Sequence, residues 1–280
     1  MIKKAAVIND LSGFGKCSLT AAIAVLSVMG VQPCPLPTAI LTNQTGFKNH
    51  YCCDFSENMP RYTEMWQKNN AEFDGIYSGY IANKDQVDFI EDFIRTFNKS
   101  YTKVIVDPVM ADNGRLYSAY NKTTCQRMKE LAKKADIITP NLTELCILAD
   151  EDYDSVLKKA DDNDFFEYIE KISQRVVFHS HMQVAVTGIK KGDYIYNGFF
   201  EKGKTDFYKS RQYGTNFSGS GDIFASIICG SVLNGMDTSS AVSKATDFLE
   251  EVIADTVKEN YEPNHGINFE KFLYKLSQNT

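Results

Sequence analysis

The sequence predicts an α/β fold in which a mainly parallel sheet is flanked by helices. Short apolar runs alternate with longer amphipathic stretches, which is the pattern of repeated strand–helix–strand units. The chain has 280 residues, of which 43% are hydrophobic, and this is enough for one large core. Since no repeat, low-complexity tract or linker interrupts the pattern, we predict a single domain over residues 1–280.

The individual elements follow from the spacing of apolar residues and glycines. The predicted strands are Lys4–Ile8, Gly75–Gly79, Val104–Val106, Ile137–Thr139 and Val184–Thr187. The predicted helices are Leu19–Met29, Val87–Phe97, Thr123–Lys133, Asp222–Leu233 and Ser239–Val257. Two β-rich runs on either side of Gly203 predict a hairpin at one edge of the sheet.

Composition narrows the class of partner and the compartment. A net charge of −6 at pH 7, with no basic stripe, argues against nucleic acid as the main ligand. The seven cysteines are odd in number and show no CxxC spacing, which argues against a disulfide framework or a zinc site. Apolar runs are too short for a signal peptide or a membrane span. We therefore predict a cytoplasmic protein that binds neither membrane nor nucleic acid.

The stretch NFSGSGD places two glycines and an aspartate directly before a predicted buried helix. A helix N-terminus offers unpaired N–H groups and a positive dipole end, and glycines let an anion approach them. Gly219, Ser220 and Gly221 therefore predict a site for a phosphate in transfer. Asp222 would be repelled by that anion unless it accepted a proton from an attacking hydroxyl. Simple N-capping by Ser220 or Asp222 explains the same residues on local grounds.

A second glycine-containing turn, DLSGFGKCS, follows the first predicted strand. It fits neither a Walker A loop nor a dinucleotide fingerprint, because Asp10 and Ser18 stand where those motifs need glycine. Polar residues after a parallel strand lie at the edge of the sheet where ligands bind. Asp10 and Ser12 are therefore either the rim of a substrate site or part of a plain strand–helix loop.

Two further segments offer candidates for the same rim. The polar turn TNQTGF contains Thr45, which is able to donate to a ring substituent, and Gly46. Tyr80 ends a predicted strand and is either a core residue or an aromatic ring that stacks on a planar ligand. Each of these segments is also compatible with an ordinary turn or core role.

Three other strand ends carry polar residues that suit a nucleotide or a cation. These are Asp107 with Asp112, Asn141 with Glu144, and Thr187 with Gly188. The Asn141–Glu144 spacing matches a capping box, yet a glutamate there is also able to hold a hydrated Mg²⁺ beside phosphates. Asp112 begins an Asp-Asn-Gly sequence that is equally typical of a turn.

Taken in order, these motifs resemble a known family. The segments NFSGSGD, VIVDPVMADNG, ADIITPNLTEL and VAVTG resemble ribokinase-like kinases of the vitamin-kinase branch, and PTAILTNQTG and GIYSGYIANKDQ resemble pyridoxal kinases. The resemblance covers Ile2 to Leu249. It implies a ribokinase-like three-layer sandwich and transfer of the γ-phosphate of ATP to the hydroxymethyl group of a vitamin B6 compound.

The resemblance also implies a role for each candidate residue. Asp222 is the general base, and Gly219, Ser220 and Gly221 form the anion hole. The vitamin ring is held by the substrate-side residues, which are Asp10, Ser12, Thr45, Gly46 and Tyr80. ATP is held by Asp112, Asn141, Glu144, Thr187, Gly188, Gly219 and Gly221. Mg²⁺ lies near Asp112 and Glu144, a monovalent cation such as K⁺ assists the anion hole, and the protein is a homodimer.

Two departures from the pyridoxal kinase pattern affect the substrate pocket. The segment Asn9–Ser12 replaces the usual serine–histidine pair and is closer to the pyrimidine kinases, and Gln44 replaces a usual histidine. Asp222 stands where hydroxymethylpyrimidine kinases usually carry cysteine, which favours the pyridoxal side. The alternatives are a hydroxymethylpyrimidine or sugar kinase, and a non-catalytic ligand-binding protein on the same fold.

Overall fold

The computed structural model describes residues 2–118, 120–214 and 216–277. The strands are β1 (Lys3–Ser12), β2 (Val31–Leu41), β3 (Cys52–Asp54), β4 (Gly75–Ser78), β5 (Lys103–Val106), β6 (Ala111–Asp112), β7 (Arg115–Leu116), β8 (Ile137–Ile138), β9 (Gln183–Lys191), β10 (Tyr194–Glu201) and β11 (Lys204–Arg211). The helices are α1 (Ser18–Val28), α2 (Met59–Lys68), α3 (Lys84–Phe97), α4 (Lys122–Ala132), α5 (Leu142–Leu148), α6 (Tyr153–Leu157), α7 (Phe165–Arg175), α8 (Ser220–Leu233) and α9 (Thr238–Lys258). Two 3-10 helices follow, at Pro263–His265 and Glu270–Leu276.

Nine of these strands form one sheet in the order β11-β10-β9-β8-β5-β4-β1-β2-β3. The central run from β9 to β2 is parallel throughout. The hairpin β10–β11 adds to one edge, and the short β3 adds antiparallel to the other. The predicted parallel sheet and edge hairpin are therefore confirmed. Because the parallel strands end at one edge, the loops that follow them lie together.

Side chains of β1 alternate between two separate cores. Ala6 and Ile8 belong to a core that also contains residues of α2 to α7, whereas Ala5 and Val7 belong to a core with α1, α8 and α9. All four side chains are fully buried. Strong burial on both faces is the mark of a central strand in a parallel sheet. The predicted three-layer arrangement of helix, sheet and helix is confirmed.

The structure contains β2, β3 and α2, which the sequence pattern did not predict. Pro33, Pro35 and Pro37 lie within β2, and proline normally argues against a central strand because it cannot donate to the ladder. Because the prolines are two residues apart, their three nitrogens face the same side of the strand. One side of β2 pairs with β1, and the opposite side pairs with β3 only from Ala39 to Leu41. Among the described residues, that opposite side is therefore unpaired where the prolines occur.

The predicted turn after Asp112 is the tip of a two-stranded hairpin, β6–β7, that lies apart from the main sheet. Asn113 and Gly114 both have positive φ, at 49° and 75°, as in the tight turns that suit hairpins.

Each of the seven cysteines is free. Within the described ranges, no helix combines the length and the apolarity needed to cross a bilayer. Because residues 1, 119, 215 and 278–280 lie outside the described ranges, the single-domain assignment of 1–280 stays a prediction.

Candidate active site

Helix α8 begins with an open N-terminus. Its N-cap, Gly219, has φ of 80°, and a Cβ there would lie 1.9 Å from the carbonyl oxygen of Lys16, so this position requires glycine. Ser220 Oγ donates to the carbonyl of Phe217 at 3.0 Å, and among the described residues no side chain caps the helix. The first-turn N–H groups are therefore available to an anion. The capping alternative for Ser220 and Asp222 is not what the structure shows.

A second helix N-terminus lies beside the first. Helix α1 begins after Cys17, which is its N-cap, and no described side chain caps it. The Cα of Cys17 is 3.1 Å from the position that a Cβ of Gly219 would occupy, so the two helix starts are in contact. Because each helix carries a partial positive charge at its N-terminus, their meeting point favours negative charge.

Asp222 lies in the first turn of α8 and is half-buried. Burial raises the pKa of its carboxyl from 3.8 to about 6, and the charge of Asp10 adds to this. The backbone N–H of Ser18 and the side chain of Asn9 act in the opposite direction. Asn9 Nδ2 donates to Asp222 Oδ1 at 3.2 Å. A carboxylate with a pKa near 6 is ionised at neutral pH and is still basic enough to accept a proton.

Asp107 follows β5 and is 6% exposed. Burial raises the pKa of its carboxyl to about 8, and the nearby charge of Asp222 contributes. Thr139 Oγ1 donates to Asp107 Oδ1 at 3.1 Å. The charge of Asp107 in turn helps to raise the pKa of the buried Glu144. Burial and repulsion between neighbouring carboxylates thus shift the pKa values of Asp107, Glu144 and Asp222 in the same direction, upwards.

The substrate-side candidates at the end of β1 are close together. Asp10 is 6% exposed and accepts from Ser12 Oγ at 2.8 Å. Burial raises its pKa, and the hydroxyls of Ser18 and Ser12 oppose the shift. Tyr80 is half-buried, and burial, the Cys52 thiol and the Asp10 carboxylate raise the pKa of its phenol to about 12. The structure therefore brings Asp10, Ser12 and Tyr80 to one rim.

The turn that contains Thr45 and Gly46 is exposed. Gln44 folds back on this turn, since its Oε1 accepts from the Gly46 N–H at 2.6 Å and its Nε2 donates to the Asn264 carbonyl at 3.0 Å. Asn264 Nδ2 in turn donates to the Gly46 carbonyl at 2.9 Å. The side chain of Gln44, which replaces a histidine of the resembled family, is thus used to hold its own loop.

The nucleotide-side candidates also meet at one place. Asn141 and Glu144 form the predicted capping box of α5, and Asn141 Nδ2 donates to the Ala111 carbonyl at 2.7 Å. The Thr187 N–H donates to the Pro140 carbonyl at 2.9 Å, and Thr187 pairs with Asn141 as an isolated parallel bridge. The start of α5, just after β8, is therefore joined directly to the middle of β9. Since β9 continues to Lys191, Thr187 and Gly188 lie within this strand and not, as the sequence predicted, after its end.

Asp112 and Gly188 lie on either side of this pairing. Asp112 Oδ2 accepts from Asn216 Nδ2 at 3.3 Å, which links the β6–β7 hairpin to the glycine segment before α8. Gly188 directly follows Thr187, with φ of 74°, and its N–H donates to Asn197 Oδ1 at 3.2 Å. The nucleotide-side candidates are thus connected both to α8 and to the edge hairpin.

Glu144 is 3% exposed, and its carboxylate already accepts several backbone N–H groups. Oε1 accepts from Met110 at 2.9 Å, and Oε2 accepts from Asn141 at 2.9 Å. These bonds fix the loop that leads into β6–β7 against the start of α5. A carboxylate held in this way suits a Mg²⁺ ion that keeps its own waters better than one that is bound directly.

Sequence reasoning missed two residues that organise this site. Asn9 is fully buried at the end of β1 and contacts Asp222. Asn264, in the segment after α9, binds the turn at Gly46. The signal for Asn9 was its place at the carboxyl end of a strand, beside Asp10. Asn264 gave no local signal, because its contacts are more than 200 residues away in sequence.

The chain is similar to known kinases over most of its length. A family model described as phosphomethylpyrimidine kinase matches residues 14–268. A Bacteroides thetaiotaomicron structure that carries the name of a phosphomethylpyrimidine kinase, solved in a form with pyridoxal, is 34% identical with a TM-score of 0.91. The match covers 99% of this chain and 96% of that one. The pyridoxal kinase of Lactobacillus plantarum shares the fold at 24% identity, with a TM-score of 0.87 and coverage of 99% and 97%.

Yeast relatives are matched over a smaller part of their length. A Schizosaccharomyces pombe protein named for pyridoxal kinase is 30% identical over 119 residues, which are 41% of this chain and 34% of the relative. A Saccharomyces cerevisiae protein named in the same way is 27% identical over 191 residues, 66% of this chain and 59% of the relative. The chain thus spans less than two thirds of either yeast protein. Since the family model covers most of the sequence, the chain belongs to the phosphomethylpyrimidine kinase family.

Proposed function

We propose that this protein transfers the γ-phosphate of ATP to the 5′-hydroxymethyl group of a B6 vitamer, which is pyridoxal, pyridoxine or pyridoxamine. The observation that carries the proposal is the position of Asp222 between the open N-terminus of α8 and the rim formed by Asp10 and Tyr80. The similar Bacteroides protein, solved with pyridoxal, supports the choice of ring.

In the proposed reaction, Asp222 accepts the proton of the substrate hydroxyl as that oxygen attacks the γ-phosphorus. The bond between the γ-phosphorus and the bridging oxygen breaks, and ADP leaves with the electron pair. The N–H groups of Ser220, Gly221 and Asp222 point to the place where charge develops on the transferred group. One such donor is typically worth about 10²–10³ in rate.

The nucleotide side is assigned to Asn141, Thr187 and Gly188, which would lie along the phosphates. Asp112 and Glu144 would hold a hydrated Mg²⁺, which when bound neutralises phosphate charge. Over the described ranges, no group of three or more His, Cys, Asp or Glu side chains is arranged to hold a metal. Activation by K⁺ and a homodimeric state stay predictions.

The second candidate substrate is hydroxymethylpyrimidine. It is favoured by the family model, which is described by phosphomethylpyrimidine kinase, and by the Asn9–Ser12 segment, which resembles the pyrimidine kinases. Both substrates present a primary alcohol on a planar nitrogen heterocycle. The same arrangement of base and anion hole would therefore serve either ring.

A substrate panel tests the proposal. Pyridoxal, pyridoxine, pyridoxamine and hydroxymethylpyrimidine are each incubated with Mg-ATP, and ADP release and phosphorylated product are measured together. We expect a B6 vitamer to give the highest kcat/KM. Product from the pyrimidine alone would replace the first assignment by the second, and absence of any product would favour a non-catalytic ligand-binding protein.

The pH dependence of the reaction follows from the pKa of Asp222. The base must be ionised to accept a proton, and burial places its pKa at about 6 rather than 3.8. We expect kcat/KM for the alcohol to be level above this value and to fall about tenfold per pH unit below it. Initial rates from about pH 4.5 to 8, with protein stability checked at each pH, measure the acidic limb of the pH profile of kcat/KM. An acidic limb with its midpoint near pH 4 would show that Asp222 is not the buried base described here.

Asp10 is expected to contribute to the choice of ring. Asp10→Ser removes a buried carboxylate beside Tyr80 and should change the order of kcat/KM among the three vitamers. The exposed Asp193, in the turn between β9 and β10, provides the matched control as Asp193→Ser, for which the parental order is expected. An unchanged order in Asp10→Ser would remove this residue from the ring site.

A further inference from the structure

Asn9 has no assigned role, yet it lies at the centre of the site. Its side chain is fully buried at the end of β1. Oδ1 accepts from the backbone N–H of Asp10 at 3.0 Å and from that of Tyr80 at 2.8 Å. Nδ2 donates to Asp222 Oδ1 at 3.2 Å. One amide therefore joins the end of β1, the segment after β4 and the first turn of α8.

The orientation of this amide is determined by its partners. The N–H groups of Asp10 and Tyr80 are donors, so they must face the amide oxygen. The amide nitrogen is then directed at Asp222, which accepts. A Cβ at Gly79 would lie 2.4 Å from Asn9 Nδ2, so glycine at that position leaves the space that the amide occupies. The side chain has little freedom to turn away from Asp222.

We propose that Asn9 is a positioning residue that directs the Asp222 carboxylate at the substrate hydroxyl and couples it to the Tyr80 segment. The inference deepens the proposed function and rests on Asp222 as the base. The bond from Asn9 to Oδ1 limits rotation of the Asp222 carboxylate and so fixes its orientation towards the substrate hydroxyl. Because the same amide holds the Tyr80 N–H, a shift of the substrate rim would be transmitted to the base.

The hydrogen bond that Asn9 donates stabilises the ionised form of Asp222, whereas burial and neighbouring charges disfavour that form. The titratable groups that face Asp222 come from several elements, namely Asp10 of β1, Cys17 before α1, Tyr77 of β4, Asp107 after β5 and Tyr117 after β7. Nearby carboxylates favour the protonated form of a buried acid, whereas a hydrogen bond to the charged form favours ionisation. Loss of the amide donor should therefore raise the pH at which Asp222 becomes active.

The substitution Asn9→Asp keeps the acceptor oxygen of the side chain and removes the N–H donor. A carboxylate oxygen still accepts from Asp10 and Tyr80, but the group that faced Asp222 becomes an acceptor of like charge. We expect the acidic limb of kcat/KM for the alcohol to move up by about one pH unit or more. At pH 7, kcat should fall about twofold for a shift of one pH unit and about tenfold for a shift of two, while KM for ATP stays within about twofold of the parent.

Two further variants keep the test decisive. Asn9→Ala removes the acceptor as well as the donor. We therefore expect the acidic limb of kcat/KM to move to higher pH and KM for the vitamer to rise. Asn234→Asp is the matched control, since Asn234 also donates through its amide, to the Met29 carbonyl, but at the far end of α8. This control should keep the parental limb and kcat. Thermal unfolding shows which variants are folded.

The outcomes distinguish the inference from the function on which it rests. If Asp222→Asn is inactive and a folded Asn9→Asp or Asn9→Ala enzyme keeps the parental limb and kcat, the role of Asn9 is overturned while the base assignment stands. If Asp222→Asn keeps parental turnover, the base assignment itself fails. A shift of the acidic limb of kcat/KM to higher pH in the Asn9 variants, without such a shift in Asn234→Asp, supports the inference.

Discussion

Asp222→Asn is expected to lower kcat for phosphorylation by about 10²–10⁴, the usual contribution of a general base. Asparagine has nearly the same shape and can still accept from Asn9, so the first turn of α8 should be preserved. The amide cannot take the proton of the substrate hydroxyl at neutral pH. Because the substitution leaves the backbone N–H groups of the anion hole in place, KM for ATP should stay close to the parental value. Steady-state kinetics with ATP and the preferred vitamer measure both quantities.

The same variant should be more stable than the parent at neutral pH. Burial raises the pKa of Asp222 from 3.8 to about 6, so the folded state disfavours the ionised form. This destabilisation is fully present above the folded pKa and disappears below the unfolded pKa. Thermal unfolding should therefore show a higher Tm for Asp222→Asn at pH 8, with the difference shrinking as the pH falls towards 4. A site that trades stability for activity behaves in this way.

Asp237→Asn is the matched control for this experiment. Asp237 is exposed at the start of α9, and its side chain accepts from the Ser240 N–H. Asparagine is an equally good N-cap, so both kcat and Tm should stay near the parental values. Turnover of Asp222→Asn that equals the parent's would assign the base to another residue.

The parallel sheet and the glycine segment could be predicted because their signals are local. Each central strand is a short apolar run, since it is buried on both faces. The open helix start is encoded in neighbouring residues, because Gly219 supplies the left-handed backbone and Asp222 follows within one turn. Asp10 was found because it lies among the last residues of β1, and Tyr80 and Asn141 because they lie just after β4 and β8. The ends of these parallel strands share one edge of the sheet.

The parts that could not be predicted depend on contacts that are distant in sequence. Strand β2 carries three prolines, and its place in the sheet depends on having β1 on one side and an open edge on the other. Asn264 reaches the turn at Gly46 across 218 residues, so no spacing in the sequence indicates it. The orientation of Asn9 is set by donors from β1 and from the segment after β4. A single sequence carries no record of these pairings.

The anion hole also depends on a contact between two loops that are far apart in sequence. Gly219 lies against the carbonyl of Lys16, in the loop before α1. Gly266, in the segment after α9, lies against the same loop, where a Cβ would be 2.9 Å from the Lys16 Cβ and 3.2 Å from the Ser218 carbonyl oxygen. The position of the α8 N-terminus is therefore determined by close backbone packing, which leaves no room for a side chain at either glycine.

Gly219→Ala is expected to lower kcat by about 10²–10³, which is the effect of losing one donor from an anion hole. The added Cβ would lie 1.9 Å from the Lys16 carbonyl oxygen, so the backbone at the start of α8 must move. The φ of 80° adds strain of about 1–3 kcal/mol for a residue other than glycine. Steady-state kinetics and thermal unfolding measure the two effects.

Gly203→Ala is the control that separates the backbone strain of a left-handed alanine from displacement of the loop that carries Lys16. Gly203 has φ of 79° in the turn of the β10–β11 hairpin, and a Cβ there meets no atom within 4 Å. Both variants bear the cost of a left-handed alanine, but Gly219→Ala alone must also move the loop that carries Lys16. We therefore expect Gly203→Ala to lose stability and keep its kcat, whereas Gly219→Ala loses both. If the two variants kept the same kcat, close packing at Lys16 would have no part in holding the N–H groups of α8 on the transferred phosphate.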